Sequence, residues 1–257
     1  MPVDKEIQEL LRQGGIEDPA HEARLLAQAF DGEGLWQAAK RRAAHEPLQY
    51  ILGEWDFWRE TYEVNEHCLI PRPDTEHLVE QALKLLPKGA RFLDLCTGSG
   101  CVAISVLASR IDLTATAVDL FPKTLELASR NAVRNGVKER LELRLADVLR
   151  DPEEFGEVDA ILSNPPYIQT NVIPTLSDEV KREPYAALCG GADGLDFYRA
   201  ILQKWRCVLK KTGFFLFEIG YDQAKALREL GAQHDLDVTV FRDYGGNDRV
   251  VLLCPRD

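Results

Sequence analysis

The sequence has no long apolar run, and this absence removes whole classes of protein. No stretch reaches the roughly 18 consecutive apolar residues that a membrane-spanning helix needs. The first residues, MPVDKEIQELLRQGG, also lack the apolar segment of a signal peptide. We therefore expect a cytoplasmic protein that neither crosses a membrane nor is addressed to one.

Cysteines are few and scattered, at positions 68, 96, 101, 189, 207 and 254. No two of them form a C-x-x-C pair, and no histidine cluster stands beside them at the spacing of metal ligands. The simplest interpretation is that they are reduced thiols of a cytosolic protein. The sequence predicts no metal site.

Basic residues are outnumbered, since 31 lysines and arginines face 42 acidic residues and give a net charge of -11. Such an excess works against non-specific attraction to nucleic-acid phosphates or anionic lipids. The composition is otherwise that of a globular protein, with 45% hydrophobic and 28% charged residues. At 257 residues we expect one large domain or two unequal ones.

Residues 1–70 are predicted to form a small helical domain with a β-hairpin linker. Asp18 is placed to cap a helix that has Pro19 in its first turn, and apolar residues follow at helical spacing. Between residues 50 and 70 the pattern changes to aromatic and β-favouring residues, which predict the hairpin. The remaining residues, 71–257, are then expected to form a catalytic domain.

The run Lys40-Arg41-Arg42 is the densest basic patch of the chain and lies in a third helix, predicted over residues 35–45. A solvated helix face is the favoured interpretation of such a run, and a contact site is the alternative. The helical domain offers no nucleophile or ligand set. We therefore predict that it serves to dock a protein partner.

From residue 71 onward, strands and helices alternate, which predicts an α/β domain with a mostly parallel sheet covered on both faces. The predicted strands are 91–95, 113–118, 141–146, 158–162, 213–219, 236–241 and 249–254. The last two are joined by RDYGGND, which is too short for a parallel crossover, so the final strand should run antiparallel. This pattern resembles the Rossmann-like fold of class I S-adenosylmethionine-dependent methyltransferases, whereas a plain dinucleotide-binding domain lacks the terminal hairpin.

The stretch FLDLCTGSGCVAI places Gly98 and Gly100 between a predicted strand and a helix, where missing side chains let backbone approach a ligand. With Ala103, these glycines also satisfy the G-x-G-x-x-G/A spacing of NAD enzymes, so both cofactors stay open at this point. Asp119, at the end of the second predicted strand, is a candidate acceptor for the hydroxyls of a ribose. It suits either cofactor.

Asp147 follows the third predicted strand, where a carboxylate can receive an adenine amino group. Val148 stands beside it as an apolar neighbour for the ring. The alternative is that Asp147 only caps its loop. Ligands of open α/β sheets bind at the carboxyl ends of the strands, which is where these candidates are predicted to lie.

The motif NPPY follows the fourth predicted strand. An amide nitrogen is a weak nucleophile because its lone pair is delocalised, so an enzyme that methylates it must hold its N–H bonds in acceptors. Pro165 and Pro166 offer carbonyls without competing N–H donors. Asn164 adds a side-chain carbonyl, and Tyr167 adds an aromatic wall and a hydroxyl. The alternative is an Asn-Pro turn that merely ends a strand.

The sequence resembles the peptide chain release factor glutamine methyltransferases, the HemK/PrmC family, in EPLQYILGEWDFW, LIPRPDTEHLVE, DLCTGSGCVAI, NPPYI, EPYAALCGGADGLDFY and DYGGNDR. The resemblance implies methyl transfer from S-adenosyl-L-methionine to the glutamine amide of the Gly-Gly-Gln loop in bacterial-type release factors. By position, the cofactor contacts would come from Cys96, Thr97, Gly98, Ser99, Gly100, Asp119, Val148 and Asn164. The substrate glutamine would be held by Asn164, Pro165, Pro166 and Tyr167.

Two positions depart from the family pattern. Cys96 stands where many relatives have glycine, and Asp74 stands where glutamate is usual. Asp74 is also placed to cap a helix that runs to Leu86. Neither change removes a group that the predicted chemistry needs.

Three other functions remain as alternatives. An NAD(P)-dependent oxidoreductase explains the glycine loop but not the NPPY motif or the terminal hairpin. A nucleic-acid exocyclic-amine methyltransferase shares the motif but should carry a basic groove, which the acidic net charge disfavours. A docking module without catalytic activity would use only the N-terminal helical domain. Glu183, in the stretch after the motif, is either part of the pocket wall or an ordinary loop carboxylate.

Overall fold

The computed structural model describes residues 2–152 and 155–256. The strands are β1 (Glu54–Phe57), β2 (Glu60–Glu63), β3 (Arg91–Leu95), β4 (Thr114–Asp119), β5 (Leu141–Leu145), β6 (Val158–Ser163), β7 (Leu209–Glu218), β8 (Leu236–Arg242) and β9 (Asp248–Pro255). The helices are α1 (Pro2–Gln13), α2 (Pro19–Ala29), α3 (Gly32–Ala43), α4 (Leu48–Leu52), α5 (Glu76–Leu85), α6 (Cys101–Ser109), α7 (Pro122–Arg134), α8 (Tyr185–Leu188), α9 (Asp196–Lys204) and α10 (Ala224–Gln233).

Strands β3 to β9 form a seven-stranded sheet in the order β5-β4-β3-β6-β7-β9-β8. Neighbours from β5 to β7 are parallel, and β9 is antiparallel to both β7 and β8. The predicted doubly wound sheet with a reversed last strand is thus confirmed. Because the parallel strands all point the same way, their carboxyl ends meet at one edge of the sheet.

The sheet buries side chains on both faces with the two-residue period of a strand. On β7, Phe214 and Leu216 pack towards α5 and α6, whereas Phe215 and Phe217 pack towards α9 and α10. Phe215 and Phe217 are fully buried. A strand that is apolar on both faces is what a doubly covered parallel sheet requires, and this rigid layer carries the loops at its edge.

The hairpin β1-β2 belongs to the core of the sheet domain. Phe57, Tyr62 and Val64 are buried in the same apolar cluster as the α5 and α6 side chains. The Tyr62 hydroxyl also lies 2.6 Å from the hydroxyl of Ser105 in α6. A separate apolar cluster runs from Ile7 to Leu52. The division at residue 70 stays a prediction, but by packing the hairpin goes with the sheet.

The Lys40-Arg41-Arg42 run divides between solvent and interior. Lys40 and Arg41 are exposed, but Arg42 is buried. Its guanidinium donates to Glu22 of α2 and to Glu179, which lies in the loop after the NPPY motif. The prediction of a solvated face is therefore wrong for Arg42, because the helical period turns this residue towards the sheet domain.

Two predicted caps have opposite outcomes. Asp18 does cap α2, since its carboxylate accepts the His21 N–H at 3.0 Å. Asp74 makes no cap, because a short 3-10 turn over Pro73–Thr75 precedes α5. Its carboxylate instead pairs with Arg249 of β9 at 3.1 Å. Among the described residues, no helix has the length and apolarity that spanning a bilayer demands.

Candidate active site

A cleft opens at the carboxyl ends of β3, β4 and β6, on the edge where the sheet's parallel strands end. Most of the predicted site residues line this cleft: Cys96, Thr97, Gly98, Ser99, Asp119, Asp147, Val148, Asn164 and Pro166. The segment before α5 forms the opposite wall with Pro71, Arg72 and Thr75. Gly100, Pro165 and Tyr167 were also predicted for the site but lie outside the lining.

The glycine loop has the backbone geometry that its sequence predicts. Gly98 has a φ of 56°, and a Cβ added there would meet nothing within 4 Å, so the backbone borders open space. Gly100 serves packing, because a Cβ at this position would lie 2.8 Å from Ile104 Cδ1. Cys96 adopts a φ of 60° in the left-handed region, where a non-glycine residue is strained. Glycine adopts this backbone conformation without that strain.

Asp119 is the last residue of β4, and its carboxylate hydrogen-bonds the backbone of the glycine loop. Its Oδ2 accepts the Gly98 N–H at 3.0 Å, and its Oδ1 accepts the Phe121 N–H at 3.1 Å. Burial raises the pKa of Asp119, and these two backbone donors oppose that shift. Each carboxylate oxygen keeps a second lone pair for a ligand. Asp119 is thus both a brace of the loop and a candidate ligand contact.

Asp147 caps its own turn and also lines the cleft, and its contact with an adenine amino group stays a prediction. Its Oδ1 accepts the Leu149 N–H at 2.9 Å and so caps its own turn. Its Oδ2 accepts from the exposed Arg150 at 3.3 Å. Val148 is buried, and its carbonyl accepts a hydrogen bond from Trp205 Nε1 at 2.9 Å. This tryptophan keeps the apolar wall in place.

Asp94 is a cleft residue that the sequence did not predict. It is buried in β3, and its Oδ2 accepts from the Thr97 hydroxyl at 2.6 Å and from the Ala103 N–H at 3.3 Å. Its Oδ1 has no hydrogen-bond partner within the described part of the chain. Burial raises its pKa to about 7. The sequence did contain a signal for Asp94, namely a carboxylate within the otherwise apolar strand FLDL.

Asn164 is held at the cleft by the segment that precedes α5. Its side-chain Nδ2 donates to the Thr75 hydroxyl at 3.0 Å. Across residues 2–152 and 155–256, neither Asn164 Oδ1 nor the Pro165 carbonyl accepts a hydrogen bond. Pro165 and Pro166 are both buried. The turn therefore carries acceptors without partners of their own beside the glycine loop.

Tyr167 points away from the cleft. Its hydroxyl donates to Glu218 Oε1 at 3.3 Å, and its ring packs against the cluster under α9 and α10. Burial raises the pKa of Tyr167, so the phenol stays protonated at neutral pH. The prediction of an aromatic wall for a substrate finds no support in this geometry.

Comparison with known proteins identifies the chain. Residues 74–181 match the family described as methyltransferase small domain. The release factor glutamine methyltransferase of Cereibacter sphaeroides is 41% identical over 262 residues, which are 94% of this chain and 93% of that protein. The release factor glutamine methyltransferase of Moorella thermoacetica is 36% identical over 273 residues, which are 96% of this chain and 95% of that protein. The chain belongs to the release factor glutamine methyltransferase family.

The fold is shared more widely than the family. Ribosomal protein L11 methylase of Lactobacillus delbrueckii subsp. bulgaricus superposes with a TM-score of 0.55 at 17% identity, over 76% of this chain and 84% of that one. At such identity the likeness shows the fold alone. The class I methyltransferase fold predicted for this release factor glutamine methyltransferase is confirmed.

Glu183 closes the rim of the cleft in this family member. Its side chain is buried, and its Oε2 accepts the Ile70 N–H at 2.9 Å while Oε1 pairs with Arg72. Burial raises the pKa of Glu183, and the arginine opposes the shift. Arg72 and Pro184 both line the cleft. Glu183 therefore joins two walls and is more than an ordinary loop carboxylate.

Three cysteine thiols also border the cleft: Cys68, Cys96 and Cys101. Burial raises the pKa of Cys68 to about 12 and raises those of Cys96 and Cys101 as well. All three are thus protonated thiols at neutral pH. Among the described residues, no three histidine, cysteine or acidic side chains are grouped as a metal site.

Proposed function

We propose that this protein transfers a methyl group from S-adenosyl-L-methionine to the glutamine amide of the Gly-Gly-Gln loop in bacterial-type release factors. Family membership supports the reaction, since the relatives in the comparison carry that name. The observation that carries the proposal is the Asn164–Thr75 hydrogen bond, because it anchors the amide N–H group and leaves Oδ1 as an acceptor.

The cleft residues fit such a cofactor. Gly98 places bare backbone beside the open space of the cleft, and Asp119 keeps lone pairs for ribose hydroxyls. The orphaned Oδ1 of Asp94 is a buried acceptor that suits an ammonium group. Val148 offers an apolar surface, and Asp147 Oδ2 an acceptor, for an adenine ring. When bound, S-adenosyl-L-methionine supplies an electrophilic methyl group on a sulfonium.

The chain's own residues orient the substrate amide. In the proposed arrangement, Asn164 Oδ1 accepts one N–H of the glutamine and the Pro165 carbonyl accepts the other. Two acceptors hold the nitrogen so that its lone pair faces the methyl group, and they stabilise the positive charge that develops there. Proline suits this site because it adds no competing donor. The reaction gains from orientation and from electrostatics that are set before the substrate arrives.

Mass spectrometry of a purified release factor tests the proposal. Incubation with the enzyme and S-adenosyl-L-methionine should add one methyl group to the Gly-Gly-Gln glutamine. The matched control is the same release factor with that glutamine replaced by alanine, which should gain none. Methyl transfer to nucleic acid instead, or binding of a nicotinamide cofactor without methyl transfer, would reject the assignment in favour of one of its alternatives.

A further inference from the structure

The two prolines of the NPPY motif cannot anchor their own turn. Neither Pro165 nor Pro166 has a backbone N–H, so neither can donate a hydrogen bond to a neighbouring segment. The proposed reaction nevertheless needs the Pro165 carbonyl and Asn164 Oδ1 in fixed places, because a displacement of about 1 Å can cost roughly 10²-fold in rate. The position of the turn must therefore be set by contacts on its flanks.

Gln223, directly before α10, supplies such a contact. The residue is 8% exposed. Its Nε2 donates to the Tyr167 carbonyl and to the Gly194 carbonyl, each at 3.1 Å, and its Oε1 accepts the Gly220 N–H at 2.9 Å. One buried side chain thus joins three segments: the chain that leaves β6 through the NPPY motif, the loop before α9 and the turn after β7.

The partners of Gln223 leave its amide a single orientation. Nε2 faces two carbonyls, which can only accept, and Oε1 faces a backbone N–H, which can only donate. Turning the amide over would set an oxygen against both carbonyls and a nitrogen against the N–H, and unsatisfied groups in a buried site are costly. The side chain therefore fixes the Tyr167 carbonyl relative to the other two segments.

Two glycines of the stretch CGGADGLD pack directly on the same part of the turn. A Cβ at Gly190 would lie 2.6 Å from the Pro166 carbonyl oxygen and 2.7 Å from Tyr167 Cα. A Cβ at Gly194 would lie 2.3 Å from the Tyr167 carbonyl oxygen. The Gly190 N–H also donates to the Ile168 carbonyl at 2.9 Å. A side chain at either glycine would displace the turn, because backbone atoms occupy its place.

We infer that Gln223 is a positioning residue for methyl transfer, which acts through the Tyr167 carbonyl, together with Gly190 and Gly194, to hold the NPPY turn in place. The inference rests on the proposed function. Gln223 itself lies outside the cleft lining, so its effect on the reaction is indirect. The inference also gives a role to Tyr167, whose carbonyl and hydroxyl both bind groups behind the cleft and anchor the turn from that side.

Gln223→Glu tests this role with little change of shape. The carboxylate sets an oxygen against the Tyr167 and Gly194 carbonyls, so the turn should shift and kcat should fall about 10- to 100-fold. KM for the release factor and affinity for S-adenosyl-L-methionine should stay within about 3-fold, because Gln223 does not line the cleft. A loss confined to KM or to cofactor affinity would overturn the inference.

Asn135→Asp is the matched control for this substitution. The Asn135 amide is partly buried and also donates to two backbone carbonyls, those of Thr61 at 3.2 Å and Asn131 at 3.0 Å, at the end of α7. The variant should lose stability for the same reason as Gln223→Glu and keep kcat within about 2-fold. Thermal unfolding measures the stability of both variants. Equal kcat values in the two would overturn the positioning role.

Gly190→Ala provides a second test that leaves the Gln223 side chain intact. The added methyl group would press on the Pro166 carbonyl, so kcat should again fall about 10-fold or more with little change in KM. Gly213→Ala is its control, because a Cβ there would lie 3.0 Å from the Asp159 carbonyl oxygen, in the first turn-free part of β6 away from the NPPY motif. Equal kcat values for these two alanine variants would also overturn the inference, and they decide the matter if Gln223→Glu is unfolded at the assay temperature.

Nuclear magnetic resonance separates this inference from the proposed function. The backbone N–H signals of Tyr167 and Ile168 report on the carbonyls of Pro166 and Tyr167, because each N–H shares a planar peptide group with the preceding carbonyl. Both signals, and the side-chain amide signals of Asn164, should shift in Gln223→Glu. If they shift although the wild type methylates no release factor, Gln223 holds the turn and the substrate assignment fails. If the wild type methylates the release factor and the signals stay in place, the positioning role is wrong.

Discussion

Arg42 of α3 donates to Glu179 at 2.5 Å and so joins the helical unit to the loop beside the active-site cleft. The Arg42 side chain is 4% exposed, and it also pairs with Glu22 of α2. Arg182 adds a second contact by donating to the Ala44 carbonyl at 2.6 Å. The helical unit is therefore fixed to the catalytic part through the buried Arg42, whereas Glu179 is partly exposed and Arg182 is exposed.

Replacing Arg42 should weaken the protein. Arg42→Met leaves Glu22 and Glu179 without their cation, so we expect a loss on the order of 1–3 kcal/mol in the free energy of unfolding. Arg41→Met is the matched control, because Arg41 pairs with Glu46 at the exposed surface and should change stability by less than about 0.5 kcal/mol. Urea denaturation of both variants makes the comparison, and equal losses would contradict a special role for Arg42.

Truncation tests where the helical unit ends. Residues 53–257 keep Phe57, Tyr62 and Val64 in the core, so this fragment should fold and bind S-adenosyl-L-methionine. Residues 71–257 lose those three side chains and should unfold at a lower temperature. Both fragments should methylate intact release factor poorly if the helical unit docks it. Calorimetry and methylation assays measure these effects; normal methylation by residues 53–257 would place docking elsewhere.

Asp119 should govern cofactor affinity. Asp119→Ala removes a candidate charge-assisted contact to the ribose and releases the Gly98 N–H, so binding should weaken by about 1.5–3 kcal/mol. Asp112→Ala is a fitting control, since Asp112 also accepts a backbone N–H, from Gly89 at 2.8 Å, but lies outside the cleft. Titration calorimetry compares the two, and equal affinities in both variants would reject the assignment.

Asn164 should matter to the chemical step above all. Asn164→Ala removes an acceptor whose hydrogen bond strengthens as charge develops on the nitrogen, so kcat should fall about 10²-fold or more. Affinity for the release factor should persist. Asn135→Ala, which removes a partly buried amide that donates to the Thr61 carbonyl, provides the comparison. Single-turnover kinetics at saturating substrates measure the step; a wild-type rate would mean that Asn164 only ends a strand.

Keeping Glu218 in the core should cost stability at alkaline pH. Its native pKa of about 7 lies above the ordinary 4.5, so between these values the folded protein binds more protons than the unfolded chain. Stability contributed by the protonated form is lost as pH rises through this window, by up to about 3 kcal/mol. Glu218→Gln should therefore gain stability over wild type more at pH 8 than at pH 5. Urea denaturation at both pH values is the measurement, and an equal difference at both would contradict it.

Local patterns predicted most of the sheet and the glycine loop. Strand β3 lies where the sequence placed it, because a short continuous apolar run that ends at glycines is typical of a buried strand. The side chain of Tyr167 was misplaced, since its direction depends on Glu218, which is 51 residues away. Arg42 was misjudged for the same reason, as its partner Glu179 is 137 residues away.

The buried acids were the main omission in the predicted site. Asp94 and Glu218 each interrupt an apolar strand, in FLDL and FFLFEIG. A lone carboxylate in a buried strand is energetically costly unless it is paired or protonated. Both positions therefore indicated a functional role. Asp94 accepts a hydrogen bond from Thr97, and Glu218 accepts one from Tyr167. Neither partner could be predicted from local pattern, because neither belongs to the strand of the acid that it contacts.

The protonated thiols around the cleft have a consequence for the enzyme's own survival. A thiolate beside an electrophilic methyl group would outcompete any amide, and the protein would alkylate itself irreversibly. Because burial keeps Cys68, Cys96 and Cys101 in the thiol form, none of these three cleft cysteines presents a thiolate that would compete with the weak glutamine nucleophile. Selective methylation of a poor nucleophile thus depends on keeping nearby thiols protonated as well as on holding the amide itself.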